Sequence, residues 1–266
     1  MKKIIKPMLK YIITYLILIL LFVILLTISS SFPSNWIKEN VAESANILEA
    51  EINYKKVDVI YKNAIISFDN YTDALMLNMA YSIDSTTPFY SALVARRNYI
   101  PNVTDEVMGE NVGELRHSSE YEENNQVGEL LDTVNGKNLE SFEYGRYWHG
   151  HLAIIRLLLI LFNINTIRII FIILFVLLAV IFLYLVFKKF NLITAIIFFI
   201  GLTYVEYFYI GFSLQGSFVF FIMMISLIVI LKRYDKIKSF PFVFFIIGMV
   251  TNCVDFLTVP ILSLGV

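Results

Sequence analysis

Residues 11–30, YIITYLILILLFVILLTISS, decide the fold. They follow Lys2, Lys3, Lys6 and Lys10, and they open a run of 27 residues without a formal charge that ends at Lys38. A twenty-residue α-helix is about 30 Å long, which matches the hydrocarbon thickness of a bilayer. A cleaved leader has a shorter apolar stretch, roughly 7–15 residues, ending in a small-x-small cleavage site, and this segment lacks that form. It reads as a retained membrane-spanning helix.

Charge extends the reading outward along the chain. Nineteen of the 22 acidic residues lie between Lys38 and Glu143, and only Glu206, Asp235 and Asp255 lie elsewhere. Ten of the 21 Lys and Arg residues sit in three short stretches, 1–10, 188–189 and 232–238. Short Lys/Arg-rich loops stay in the cytoplasm, so this asymmetry predicts a cytoplasmic N-terminus and an extracytoplasmic acidic block. A hydrophobic fraction of 58% and a mean hydropathy of +0.71 exceed ordinary globular usage. Cys253 is the single cysteine, which excludes an intramolecular disulfide and a Cys-based metal site.

Apolar periodicity divides the remainder. Trp36 stands where an interfacial anchor is expected. Residues 38–95 carry helical periodicity. Residues 96–143 are poorer in large apolar side chains, and Glu120–Glu123 with Asn124 and Asn125 reads as a solvated loop. Asn135-Gly136 is a turn signal. So little of this block is apolar that it is expected to lean on the membrane helices. Residues 151–163 are apolar but too short to span, and they carry Arg156, which suits an interfacial or re-entrant helix. Asn165 is a candidate N-cap for the next helix. Spans are then predicted at about 167–187, 191–209, 212–231 and 240–257, with a tight turn around Gly211 and every basic cluster inside. The final apolar stretch, TVPILSLGV at 258–266, reads as the start of a further segment in a truncated chain.

The expected architecture is therefore an all-α polytopic membrane protein of about five transmembrane helices plus an interfacial helix. A large, mainly α-helical extracytoplasmic loop, 31–150, separates the first and second spans. The bundle occupies 164–266, and the protein belongs in the cell membrane as a multi-pass component.

Three places could carry chemistry. In Asp69-Asn70-Tyr71-Thr72-Asp73 a helix starts near Asp69 or Asn70, which would set Asp69 and Asp73 a turn apart on one face. Two such carboxylates could take a proton from a hydroxyl or share a divalent cation, Mg or Mn. They could equally be an N-cap and a first-turn acid facing the helix dipole. The second place is Tyr144-Gly145-Arg146-Tyr147-Trp148-His149-Gly150-His151. Its aromatic and basic residues could anchor the interface, and Arg146, Trp148, His149 and His151 could contact phosphate or sugar. A metal held by His149 and His151 requires a non-helical backbone, because on a helix the two rings diverge by about 200°. The third place is the outer ends of the later spans, with Arg168, Glu206 and Asp255. Intramembrane charges usually face a bundle interior or an aqueous cavity, and an Arg168–Asp255 ion pair is the structural alternative.

This layout resembles the GT-C superfamily of membrane glycosyltransferases, which use polyprenyl-phosphate-linked sugars. Asp69-Asn70-Tyr71-Thr72-Asp73 is similar to the acidic motif of that superfamily's first outer loop. Tyr147-Trp148-His149-Gly150-His151-Leu152 and Asn165-Thr166-Ile167-Arg168-Ile169 are similar to the segment leading into its second span. The acidic motif lies some forty residues beyond the first helix, and Trp-His-Gly stands where Pro-Pro-Leu is common. The resemblance implies that Asp73 or Asp69 acts as base toward an acceptor hydroxyl. It also implies that Arg146, His149 and Arg168 stabilise the leaving lipid phosphate, with a lipid-linked sugar donor and a glycan acceptor as partners. A transporter or flippase component and an anchored scaffold are the competing classes. The basic clusters flank membrane helices, so nucleic-acid binding has no support.

Overall fold

The computed structural model describes residues 2–57, 69–99, 119–136, 140–145 and 148–255. The elements in chain order are α1 Lys2–Ser31, α2 Lys38–Val57, α3 Asn70–Tyr81, α4 Pro88–Val94, β1 Arg96–Tyr99, α5 Ser119–Val134, β2 Glu140–Glu143, α6 Leu152–Leu159, α7 Ile164–Lys189, α8 Leu192–Tyr204, α9 Leu214–Arg233 and α10 Phe240–Val254. The protein is mostly helical, and among the described residues three helical stretches are long and apolar enough to cross a membrane: Met8–Ser31, Ile164–Lys189 and Leu214–Lys236. The apolar α8 and α10 have 13 and 15 residues, about 20 and 22 Å at 1.5 Å per residue. Residues 258–266 lie outside the described residues.

The chain forms two compact units. One, here the apolar unit, comprises Met1–Leu25, Trp148–His151 and Arg168–Val266; the other, the acidic unit, comprises Leu26–Tyr147 and Leu152–Ile167.

In the apolar unit, α7 buries a stripe of Arg168, Phe171, Phe175, Ala179, Phe182 and Val186, while Ile173, Leu177 and Val180 are exposed on its other side. The stripe recurs every three or four residues, as one face of a helix must. Phe175 stacks on Phe221 of α9 with ring centres 4.2 Å apart, and Phe171 meets Phe218 and Phe221 edge-on. The helix predicted to run to residue 209 ends at Tyr204, because Glu206 takes a left-handed conformation and a short 3-10 turn follows at Tyr207–Phe212. Gly211 lies in that turn, and a Cβ there would come within 2.8 Å of Ile172 Cγ1. The close approach to α7 is what requires glycine.

The basic stretches of this unit are linked by contacts at one end. Lys10 Nζ lies 3.5 Å over the Phe242 ring, at the start of α10. The neighbouring Phe240 ring meets Tyr234, over which Lys189 Nζ sits at 4.4 Å. Lys189 also donates to the Leu231 carbonyl, next to Lys232 and Arg233.

In the acidic unit, α3 is central: ten of its twelve residues are buried. α2 presents Val41, Ala45 and Leu48 to the core, α5 presents Val127, Leu130 and Val134, and α6 presents Leu152, Ile155 and Leu159. Leu26 at the end of α1 and Ile164 and Ile167 at the start of α7 are also buried here. Helix α3 is thus buried on almost all sides. Two sequence expectations change. Glu120–Glu123, Asn124 and Asn125 are helical, forming the first turns of α5; polar composition alone could not separate a solvated helix from a loop. Helix α7 starts at Ile164, and its cap is Asn163, whose Oδ1 accepts from Thr166 N at 2.9 Å. Asn165 lies inside the helix and is exposed.

Candidate functional site

Asp69 is the N-cap of α3, its Oδ1 accepting from Thr72 N at 3.0 Å. That bond satisfies one of the donors a helix start leaves open. Asp73 sits in the first turn, fully buried, beside the buried Asn70 and Thr72. Asn70 Nδ2 donates to the Leu48 carbonyl at 3.2 Å, which fixes the start of α3 against α2. The cap and the buried acid thus have different environments, although they are one turn apart. Among the described residues no group of three or more His, Cys, Asp and Glu side chains could hold a metal ion.

In the apolar unit, residues 148–151 form a turn set against the far end of α10. His149 has a left-handed backbone, φ 51°, so the two histidines do not follow helical spacing. Their rings lie 5.7 Å apart, nearly perpendicular. Gly150 N donates to the Cys253 carbonyl at 2.7 Å. Trp148 meets Phe22 of α1 edge-on, and the His151 ring faces Phe218 of α9. Both histidines are buried. Burial holds the His151 imidazole well below its usual pKa, the charge of His149 pushes the same way, and a hydrogen bond with the Val254 backbone opposes them. Two buried imidazoles this close disfavour a second positive charge.

Asp255 is the C-cap of α10, its N–H bonded to the Thr251 carbonyl, directly after the residues that hold Gly150 and His151. Arg168 continues the buried stripe of α7 one turn before Phe171, which packs on the same Phe218 that faces His151. The fold thus assembles Trp148, His149, His151, Cys253 and Asp255 at one end of α10, with Arg168 on the stripe leading to them. Cys253 lies against Gly150, although 103 positions separate them in the chain. Arg146 lies outside the described residues.

A further buried cation has a structural role that its position in the sequence does not reveal. Arg156 on α6 is 1% exposed and sends its guanidinium into backbone carbonyls. Nε donates to Ser29 O at 3.2 Å, Nη2 to Phe32 O at 2.5 Å, and Nη1 to Ala80 O, with Ser34 Oγ at 3.4 Å. The fixed fork of donors ties the end of α1 and the end of α3 to α6. Burial lowers its pKa to about 10, so it stays charged at neutral pH. The signal in the sequence was an arginine inside the otherwise apolar run 152–162.

The fold is that of a mostly helical protein which carries, among the described residues, three helices long and apolar enough to cross a membrane. No family model, curated protein or solved structure matches the chain.

Proposed function

We propose that this protein is a polytopic membrane glycosyltransferase that moves a sugar from a polyprenyl-phosphate donor to an acceptor on the outer face of the membrane. The supporting observation is polarity along α10. The linked lysines lie at its Phe240 end, and the Trp148–His151 turn lies at its Cys253 end, about 20 Å away along the helix. If the lysines mark the cytoplasmic face, the histidine turn and Asp255 belong to the outer face. In this reading α8 and α10 cross the membrane with α1, α7 and α9, making five spans, and α6 lies in the interface. Its exposed Ile154 and Leu157 face lipid. The acidic unit is then extracytoplasmic.

The reaction fits these residues as follows. The Asp73 carboxylate takes the proton of an acceptor hydroxyl, whose oxygen bonds to the anomeric carbon of the sugar. The bond from that carbon to the phosphate oxygen breaks, and polyprenyl phosphate leaves with its electron pair. Asp69 serves chiefly as the cap that sets the start of α3.

The test is sugar transfer by the chain in membranes supplied with a polyprenyl-phosphate sugar. Asp73→Asn should abolish transfer while the protein stays folded. Asp69→Asn keeps a capping oxygen and should retain transfer, whereas Asp69→Ala should lose about 1 kcal/mol of stability. Full transfer by Asp73→Asn would remove the catalytic assignment.

A further inference from the structure

Helix α4 has its apolar pattern turned inside out. Its small residues Ser91 and Ala92 are buried against the acidic unit, while Phe89, Tyr90 and Leu93 are 60%, 46% and 47% exposed. A water-facing helix presents the opposite pattern, with polar residues outward. Phe142 on β2, 42% exposed, adds a further aromatic ring on the same unit. Soluble surfaces seldom leave large apolar side chains clustered in this way unless something covers them.

The position of α4 indicates what covers it. Leu26–Ser31, the last turns of the spanning α1, belong to the acidic unit. Three residues further on, Ser34 Oγ donates to Ile83 O at 2.9 Å. From the next residue, Asp84, the carbonyl accepts Ser91 Oγ of α4 at 2.9 Å. Two hydrogen bonds therefore hold α4 at the level where α1 leaves the bilayer. Trp36, 56% exposed and paired with Phe32 at 5.7 Å, sits at that level too. Tyr90 points its hydroxyl at Glu143 while its ring remains exposed, an apolar body with a polar tip. Such side chains gather at the boundary between headgroups and acyl chains.

We propose that α4 is a membrane-dipping element whose Phe89, Tyr90 and Leu93 insert into the lipid surface that α1 crosses, giving the acidic unit a second point of attachment. The occupant is the acyl–headgroup boundary of the bilayer. The inference rests on α1 spanning the membrane and is independent of glycosyl transfer. Two contacts fix how the acidic unit meets lipid, the end of α1 and α4, and together they would hold its orientation.

The experiment uses the 266-residue chain in lipid nanodiscs. Single cysteines replace Phe89, Leu93, Ile17 or Ala50 in a Cys253→Ala background, and each carries an environment-sensitive fluorophore. Labels at 89 and 93 should shift to the blue, lose intensity to lipids brominated high in the acyl chain, and resist aqueous iodide. Ile17, exposed within α1, reports a lipid-buried position, and Ala50, exposed on α2, reports an aqueous one. If 17 responds to lipid while 89 and 93 behave like 50, the inference is overturned and the spanning reading survives. If 17 itself behaves like 50, the spanning reading fails first. Protection of 89 by chain–chain cross-linking in place of lipid quenching also overturns it, since a second copy would then be the occupant. As a label-free measurement, Trp36 in a Trp148→Phe variant should be quenched by the same lipids.

Discussion

The side chain of Asn78 takes the place of a neighbouring strand for Asn98. Its amide nitrogen donates to the Asn98 carbonyl at 3.0 Å, and its amide oxygen accepts from the Asn98 N–H at 3.0 Å. Ser82 Oγ donates to that same oxygen at 2.9 Å. The two-stranded ribbon of β1 and β2, paired from Arg96↔Glu143 to Tyr99↔Glu140, is thereby fastened to the central helix α3. Buried polar groups that lose their partners carry the full desolvation penalty. Asn78→Leu should therefore destabilise the acidic unit by about 2–4 kcal/mol. Asn98→Ala, which keeps the backbone partners, should stay within about 0.5 kcal/mol of the parent. Denaturant unfolding of the detergent-solubilised chain measures both, and equal effects would refute the backbone role of this contact.

Arg156 holds three backbone carbonyls with one side chain. Removing the guanidinium leaves the carbonyls of Ser29, Phe32 and Ala80 facing a dry gap. Arg156→Met should cost about 3–5 kcal/mol. Arg156→Lys keeps the charge but not the fork of donors, so it should recover only part of that loss. Thermal unfolding in detergent separates the three proteins, and a lysine variant as stable as the parent would show that charge alone matters.

How much of this was legible in the sequence depends on the range of each interaction. The three long apolar helices could be read because about twenty consecutive apolar residues are a local property. The Asp69 cap was open to the same kind of reading, since its partner Thr72 lies three residues away. The start of α5 was not, because a Glu/Asn-rich segment is compatible with a loop or a solvated helix. Arg156 and Gly150 were beyond reach for another reason. Their partners Phe32 and Cys253 lie more than 100 positions away, and no periodicity encodes such pairings. The histidine pair was visible as a composition anomaly, but its left-handed turn and its seat on α10 were not.

Asp84 supplies an acid-sensitive latch for α4. Its carboxylate accepts from Thr86 Oγ1 at 2.7 Å, Thr86 N at 2.9 Å and Thr87 Oγ1 at 3.2 Å. The Thr86 hydroxyl first, and the Thr86 N–H second, hold its pKa below the usual carboxylate value. A carboxylate whose folded pKa is depressed adds stability that is complete above its unfolded pKa and lost as pH falls through the folded one. Acid below the ordinary carboxylate range should therefore loosen residues 83–87 and release α4. Hydrogen-exchange protection of amides 86–94, corrected for intrinsic rates, should drop with acid in the parent. In Asp84→Asn it should be lower at neutral pH and lose its acid dependence. An unchanged acid profile in that variant would assign the loosening to another group.

Gly150 is the residue on which the histidine turn depends for its seat. Its N–H reaches the Cys253 carbonyl at 2.7 Å, and a Cβ at this position would lie 2.5 Å from both that carbonyl oxygen and Cys253 Sγ. The carbonyl belongs to the end of α10 and cannot swing away as a long side chain could. Gly150→Ala must therefore push residues 148–151 off the helix, breaking the hydrogen bond and moving His149 and His151 together. The expected loss is about 1–3 kcal/mol, the usual range for overpacking a filled site. Cys253→Ala removes the sulfur but leaves the carbonyl, so it should relieve only part of the clash in the double variant. Thermal unfolding gives the stability, and histidine NMR shifts in the same samples report whether the two rings move as one. Gly150→Ala with parental stability and unchanged imidazole signals would mean that the turn is not seated on α10.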